Sequence, residues 1–256
     1  MNALHKIAAA ACLTAFASAL VLPASGTAQD LSNPKSDFAK DIPAQGWQTQ
    51  TERTDRGHLI GNPEADAQLI EFISYTCSHC ADFAKQSDGT LDLAAIGPGF
   101  VSVEVRPVIR NSLDLVVTMM AQCGDADGFI RRHRSFLYTQ DKWLKKAINA
   151  PQSQRAIWAR ADAEARLNAA RSLDFDDLML SKGLSLQQIN ACLADDNAAQ
   201  AIMAADSADR SEFGITGTPT FAFNGKKLEN VSDWPALSAV LQEAFRPKPQ
   251  ESVTGG

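Results

Sequence analysis

The pattern of hydrophobic and polar positions first separates a short buried strand from a helix in this 256-residue chain. Residues 69–75 form an apolar run rich in β-branched and aromatic side chains, which predicts a buried strand. Residues 81–86 have good helix propensity and place Phe83 and Ala84 on one apolar side. The pattern therefore predicts a strand that ends near Thr76 and passes directly into a helix.

Further strand signals lie on both sides of this unit. Residues 47–52 alternate as a strand does, and residues 57–60 could form its hairpin partner. Residues 100–105 are a second buried run, which ends at Pro107. The order strand, helix, strand favours two parallel strands joined by a crossover helix.

Residues 111–210 have a helical pattern instead. Apolar side chains recur at helical spacing at Leu113, Val116, Val117 and Met120. Residues 154–167 are dense in Ala and Arg, and residues 174–180 and 185–193 each predict a short helix. This segment contains no convincing strand, so we expect a helical domain here.

Strand signals return after this segment. Residues 216–223 predict a strand, Asn224-Gly225 is a strong hairpin signal, and residues 226–231 would form the return strand. Asp233 can cap a final helix.

These patterns predict an α/β fold in which a helical domain interrupts a domain built around a sheet. We expect the sheet domain to be discontinuous, over residues 47–110 and 211–246, and the inserted helical domain to cover residues 111–210.

The two ends of the chain differ from this globular part. Residues 1–28 combine Lys6, an apolar alanine-rich run and small residues up to Ala28, which is typical of a cleavable secretory signal peptide. A retained membrane anchor is the alternative, although the run is shorter than the roughly 20 residues of a membrane span. Residues 29–46 predict a flexible arm, and residues 247–256 predict a disordered tail.

Composition and charge fit an exported globular protein. The chain is 45% hydrophobic and carries a net charge of −6, which gives no indication of a nucleic-acid partner. Cys12 lies within the predicted signal peptide, which leaves four cysteines. An even number in an exported protein suggests disulfides formed in an oxidising compartment.

Cys77 and Cys80 have C-x-x-C spacing at the point where the predicted strand meets the helix. The unpaired N–H groups and the dipole at a helix N-terminus favour a thiolate there. Thiol–disulfide chemistry is therefore the leading interpretation, with a zinc site and an inert disulfide as alternatives. Zinc needs further ligands at close spacing, which the sequence does not offer, so we expect no metal and no cofactor.

Cys123 and Cys192 lie far apart within the helical segment. We prefer a structural disulfide that ties two helices together, as is common in exported proteins. Two buried free thiols and a second redox pair remain as alternatives.

Three segments carry a resemblance to a known family. FISYTCSHCADF surrounds the two close cysteines, GITGTPTFAFNGK surrounds Pro219, and the helical segment contains INACLADD. With this order of elements, the chain resembles the DsbA-like thiol–disulfide oxidoreductases, in which a helical domain interrupts a thioredoxin fold. The resemblance covers nearly all of the chain after residue 28.

The resemblance implies roles for residues at the cysteine pair. Cys77 would be the nucleophile, and Cys80 the more buried partner that re-forms the disulfide. The bond between Thr218 and Pro219 would be cis, which leaves the backbone of Thr218 beside the sulfurs, where it can pair with an extended substrate.

The residues between the cysteines depart from the family pattern. Many DsbA-type oxidases have Pro-His there, whereas this chain has Ser78 and His79. We expect His79 to stabilise the thiolate, which makes the disulfide a stronger oxidant, and Ser78 to contact substrate.

By resemblance, the protein would be a periplasmic oxidase that donates the Cys77–Cys80 disulfide to reduced, newly exported proteins. A quinone-linked membrane protein of the DsbB type would reoxidise it. A disulfide reductase or isomerase is one alternative. A secreted chaperone-like binding module with a structural disulfide is another.

Overall fold

A computed structural model describes residues 42–246 of the chain. The predicted signal peptide, most of the predicted arm and the predicted tail lie outside the described residues. Among the helices of residues 42–246, none combines the length and apolar character that a membrane span needs.

Six strands form one mixed sheet at the centre of the described part of the chain. In chain order they are β1 (Thr51–Arg53), β2 (His58–Ile60), β3 (Ala67–Ile73), β4 (Val101–Pro107), β5 (Thr220–Phe223) and β6 (Lys226–Lys227). Their spatial order is β1-β2-β4-β3-β5-β6, so β3 and β4 occupy the middle. These two strands are parallel, and every other pairing is antiparallel.

Ten α-helices surround this sheet within the described residues. They are α1 (Ser78–Leu91), α2 (Ser112–Ala121), α3 (Phe129–Tyr138), α4 (Gln140–Ile148), α5 (Gln152–Trp158), α6 (Ala163–Ser172), α7 (Phe175–Leu180), α8 (Leu186–Ala194), α9 (Asp196–Phe213) and α10 (Trp234–Ala244). A π-helical turn, Asp92–Ile96, continues α1.

The unit β3-α1-β4 is the parallel crossover that the sequence predicts. Helix α1 buries one face, which includes Cys80, Phe83 and Ala84, against the sheet. The ring of Phe83 lies 4.8 Å from the ring of Phe221 on β5. Burial of an aromatic side chain of this size contributes roughly 1.5–3 kcal/mol, so this contact helps to fix α1 over the middle of the sheet.

Helices α2 to α9 lie between β4 and β5 in the chain, which confirms the predicted helical insertion in a thioredoxin-like fold. Helix α9 returns the chain to the sheet, and buried Asp209 on α9 pairs with Arg56 at 2.8 Å and Arg106 at 2.9 Å. Because a buried carboxylate needs charged or hydrogen-bonding partners, these pairs attach α9 to β4 and to the turn between β1 and β2.

Two predicted strands are shorter than expected. Residues 47–49 form a 3-10 turn instead of a strand, and the chain enters it through Gly46, whose φ is 76°. The strand predicted over residues 216–223 begins at Thr220, which pairs with Phe72. Pro219 comes just before this point and has no N–H to donate to a sheet.

One further prediction needs correction. The return strand after the hairpin covers Lys226–Lys227 alone, and Asn230 takes a left-handed conformation that interrupts an extended chain. The Ala- and Arg-rich segment 154–167, for which no helix bounds are predicted, divides between α5 and α6, because Ala161 has a φ of 57° and Asp162 then caps α6 by accepting from the N–H of Ala165.

A disulfide joins Cys123, just after α2, to Cys192 on α8. It links residues 69 positions apart, so it closes a long loop within the helical insertion.

We expect the double variant C123A/C192A to lose about 4 kcal/mol of its free energy of unfolding, because a cross-link over a loop of this length restricts the unfolded chain. Urea unfolding of both proteins without reductant measures the difference. An unchanged unfolding midpoint would show that the bridge contributes no stability.

Candidate active site

Cys77 is the N-cap residue of α1, directly after the loop that leaves β3. Its N–H donates to the carbonyl of Ser74 at 3.1 Å, and its own carbonyl accepts from the N–H of Ala81 at 3.3 Å. The sulfur therefore lies at the positive end of the helix, where N–H groups lack partners within the helix.

The loop before β5 brings a backbone carbonyl to this sulfur. In its protonated form the Cys77 thiol donates to the carbonyl of Thr218 at 3.1 Å, and the bond between Thr218 and Pro219 is cis. Residues that are 141 positions apart in the chain thus meet at one sulfur.

The two thiols differ in accessibility. Cys77 is 5% exposed, whereas Cys80 is fully buried. Neither is bonded to another cysteine, so the structure describes the dithiol form. A substrate that approaches from solvent reaches Cys77 first.

The environments of the two thiols move their pKa values in opposite directions. Hydrogen bonding from Cys80, supported by Thr218 and the N–H groups of Cys80 and His79, lowers the pKa of Cys77 from 9.0 to about 5 against the effect of burial. Burial, with the nearby Cys77 charge, raises the pKa of Cys80 well above 9.0. At neutral pH the pair therefore holds one thiolate, on Cys77, and one proton, on Cys80.

The buried carboxylate of Asp114 on α2 fixes the loop in front of Cys77. It accepts hydrogen bonds from the N–H of Thr76 at 2.8 Å, from the hydroxyls of Ser74 and Thr76 at 2.9 and 3.0 Å, and from the N–H of Arg110 at 3.0 Å. Asp114 thus joins the loop after β3 to the loop after β4.

Gln140, at the start of α4, holds the same loop from the other side. Its side-chain amide is buried and donates to the carbonyls of Tyr75 and Cys77 at 2.7 and 2.8 Å. Two side chains of the helical insertion therefore set the backbone position of the reactive cysteine.

Neither Asp114 nor Gln140 is among the site residues predicted from the sequence. Asp114 had a detectable signal, because it interrupts the otherwise apolar pattern of α2 and lies fully buried there. Gln140 has no distinguishing sequence signal, since its role depends on where α4 packs.

Glu71, on β3 in the middle of the sheet, is a third buried polar residue that is not among the site residues predicted from the sequence. Burial, with a contribution from Asp88, raises the pKa of Glu71 to about 8. Its carboxyl is therefore protonated at neutral pH and exchanges a proton in the range in which thiols commonly titrate.

The structure brings the other predicted site residues to the surface around Cys77. Ser78 and His79 begin α1 and are both exposed. Ser78 lines a cavity of about 470 Å³ against α4, and His79 lines a groove of about 500 Å³ that also includes Thr218 and Pro219. The contribution of His79 to the Cys77 pKa comes through its backbone N–H, and the role of its imidazole stays a prediction.

A family model described as thioredoxin matches residues 53–243. The chain belongs to this family. Among curated relatives, a Rickettsia typhi protein provisionally named a protein-disulfide oxidoreductase is 27% identical over 175 residues. That match covers 68% of this chain and 57% of the relative, so the chain spans little more than half of the relative's length.

Solved structures show the same architecture. A protein-disulfide isomerase from Novosphingobium aromaticivorans superposes with a TM-score of 0.72 and 29% identity, over 75% of this chain and 99% of that one. Wolbachia pipientis α-DsbA1 gives a TM-score of 0.58 at 18% identity, over 72% and 88% of the two chains, which shows likeness of fold alone. Membership of the thioredoxin family is thus confirmed, and the likeness to α-DsbA1 is one of fold.

We expect the thiolate of Cys77 to titrate with a midpoint near pH 5 in the reduced protein. Ultraviolet thiolate absorbance and the rate of alkylation by iodoacetamide measure this midpoint, and Cys77→Ser should remove the transition. A midpoint at pH 8 to 9 would contradict the account of the site.

The same shift makes stability depend on pH. Because unfolding returns the Cys77 thiol to a pKa near 9, the thiolate's contribution to stability is fully present above about pH 9 and is lost as the pH falls to about 5.

Proposed function

We propose that this chain is an exported protein-disulfide oxidoreductase that oxidises cysteine pairs in other proteins. The observation that carries the proposal is the low pKa of Cys77, which lies at the N-terminus of α1 beside the buried Cys80 thiol. A stabilised thiolate favours the reduced form of the pair, and the disulfide is then a ready electron acceptor.

The reaction begins from the oxidised protein. A substrate thiolate attacks the Cys77 sulfur, a mixed disulfide forms, and the bond to Cys80 breaks as Cys80 takes up a proton. A second substrate thiolate then attacks the substrate sulfur of the mixed disulfide and displaces Cys77 as a thiolate. Two electrons pass from two substrate thiols to the Cys77–Cys80 pair, and the substrate gains a disulfide.

The low pKa of Cys77 supports this direction of transfer. The second step releases Cys77, and a thiol of low pKa is the better leaving group. Burial raises the pKa of Cys80 and favours its protonated form, which slows the attack of Cys80 on the mixed disulfide relative to attack by the substrate thiolate.

Substrates would be reduced, unfolded polypeptides. The loop at Thr218 offers backbone groups beside the sulfur, which suits the addition of an extended chain. On the other side of Cys77, the cavity at Ser78 includes Leu144 and the exposed side chain of Ile148, which can contact apolar residues of an unfolded substrate.

The site of action we propose is the periplasm. The supporting observation is the pattern of residues 1–28, which is typical of a secretory signal peptide. Repeated turnover needs an oxidant for the dithiol, and we assign this role to a quinone-linked membrane protein of the DsbB type.

Disulfide isomerisation is a second candidate, because the similar Novosphingobium aromaticivorans protein is a protein-disulfide isomerase. An isomerase starts from its dithiol form and rearranges existing disulfides, whereas an oxidase starts from its disulfide form. Oxidation of a substrate converts the enzyme from its disulfide to its dithiol, so the stabilised Cys77 thiolate drives this reaction forward and favours the oxidase. An isomerase begins and ends as the dithiol and gains no such driving force.

The test is oxidative refolding of reduced, denatured ribonuclease A by the oxidised protein. We expect the wild type to restore ribonuclease activity, and Cys77→Ser to abolish this because no sulfur remains for the first attack. Cys80→Ser is the matched control: it keeps the nucleophile but cannot form the disulfide, so its Cys77 thiol should accumulate as a mixed disulfide when ribonuclease with preformed disulfides is added.

Oxidation by Cys77→Ser at the wild-type rate would contradict the proposal. Faster rearrangement of scrambled ribonuclease than oxidation of reduced ribonuclease would assign the chain to the isomerases.

A further inference from the structure

A cavity of about 290 Å³ opens directly beside the reactive sulfur. Cys77 and Thr218 form one wall, and the loop between β4 and α2 forms the other with Val108 and Arg110. Arg210 from α9 also lines it. Two guanidinium groups and His79 therefore border a space directly beside Cys77.

The charge of Arg210 is balanced within the structure. Its Nε donates to both carboxylate oxygens of Asp206 at 2.9 and 3.0 Å, and its Nη2 donates to the carbonyl of Ile109 at 3.3 Å. These contacts fix Arg210 as part of the wall of the cavity.

The charge of Arg110 is not balanced in this way. Its backbone N–H is held by Asp114 at 3.0 Å, but within residues 42–246 its side chain has no ion pair and is exposed. None of the side chains that line the cavity is acidic. The cavity therefore presents one uncompensated positive charge beside Cys77.

The groove on the other side of the Pro219 loop has the opposite character. Its lining includes Glu229 and Asp233, and its single lysine, Lys227, lies 3.1 Å from Glu229. The two sides of the loop that carries Thr218 and Pro219 thus differ in the sign of their charge. An extended substrate bound along this loop would meet positive charge on one side alone.

We propose that Arg110 is a specificity-determining residue that binds a carboxylate carried by the thiol substrate, so that the protein prefers cysteines with an acidic residue on one flank. This inference rests on the proposed function and names a substrate class for it. The guanidinium presents several donors in a planar fork that matches a carboxylate.

Arg110 acts on the substrate and not on the thiol. The hydrogen bonds that lower the pKa of Cys77 come from Cys80, Thr218 and the first turn of α1. Removal of the Arg110 side chain therefore leaves the hydrogen bonds to the Cys77 sulfur in place. Because Arg110 is exposed, it can be substituted without loss of the fold.

The test compares reduced dithiol peptides that carry Asp before the cysteine, Asp after it, Lys in the same positions, or neither. Each peptide is mixed with the oxidised protein, and the rate of reduction of the Cys77–Cys80 disulfide is measured for the wild type, Arg110→Gln and Arg110→Glu. The ratio of wild-type to variant rate for one peptide cancels that peptide's own thiol chemistry. Arg131→Glu, an exposed arginine on α3 outside the cavity, is the matched charge control.

We expect one of the two Asp peptides to react about fivefold faster with the wild type than with Arg110→Gln, as an exposed ion pair of good geometry allows. Arg110→Glu should reverse the preference toward Lys, Arg131→Glu should behave as the wild type, and about 1 M salt should abolish the effect. Any change in the pKa of Cys77 caused by loss of the Arg110 charge alters the rates of all peptides alike, so the preference is measured as the difference in rate ratio between peptides.

Equal rate ratios for the Asp, Lys and neutral peptides would overturn the inference while leaving the proposed function intact. No reduction of the disulfide by any peptide would instead remove the proposed function. Reduced glutathione tests whether the ligand is a small thiol that carries carboxylates. If the rate of disulfide reduction depended on Arg110 for glutathione but for none of the peptides, the assignment to a polypeptide substrate would be overturned.

Discussion

The hydrogen bonds that hold a negative charge on the Cys77 sulfur are the constraint on which this structure depends. They come from the buried Cys80 thiol, from the Thr218 side chain and from the first N–H groups of α1. These groups have to converge on one atom although Thr218 lies 141 positions away in the chain. The sheet makes this convergence possible, because β3 and β5 are neighbours and pair from Phe72 and Thr220 onward.

The helical insertion contributes directly to this site. Asp114 and Gln140 hold the loop between β3 and α1 from two sides, so the chemistry of a thioredoxin-like unit depends here on packing against α2 and α4. The insertion also returns the chain through α9, which carries Arg210 to the cavity beside Cys77. The same elements that position the sulfur therefore shape the surface that a substrate meets.

The sequence predicts the elements whose signals are local. The apolar run before Cys77, the Asn224-Gly225 turn and the cap at Asp233 each depend on a few adjacent residues, and β3, the β5–β6 hairpin and α10 follow them. Predictions failed where a single backbone conformation decides the outcome, as at Gly46 and Asn230. Gln140 was not predictable, because its role is to donate hydrogen bonds to two backbone carbonyls that come within reach only when α4 packs in the folded structure.

The reduction potential of the Cys77–Cys80 pair tests the central claim most directly. Equilibration of the protein with defined mixtures of reduced and oxidised glutathione measures it. Because the thiolate of Cys77 is stabilised at neutral pH, the account predicts an oxidising value above about −180 mV, toward the roughly −120 mV of strong disulfide donors. A value near the roughly −270 mV of thioredoxin, or lower, would contradict it.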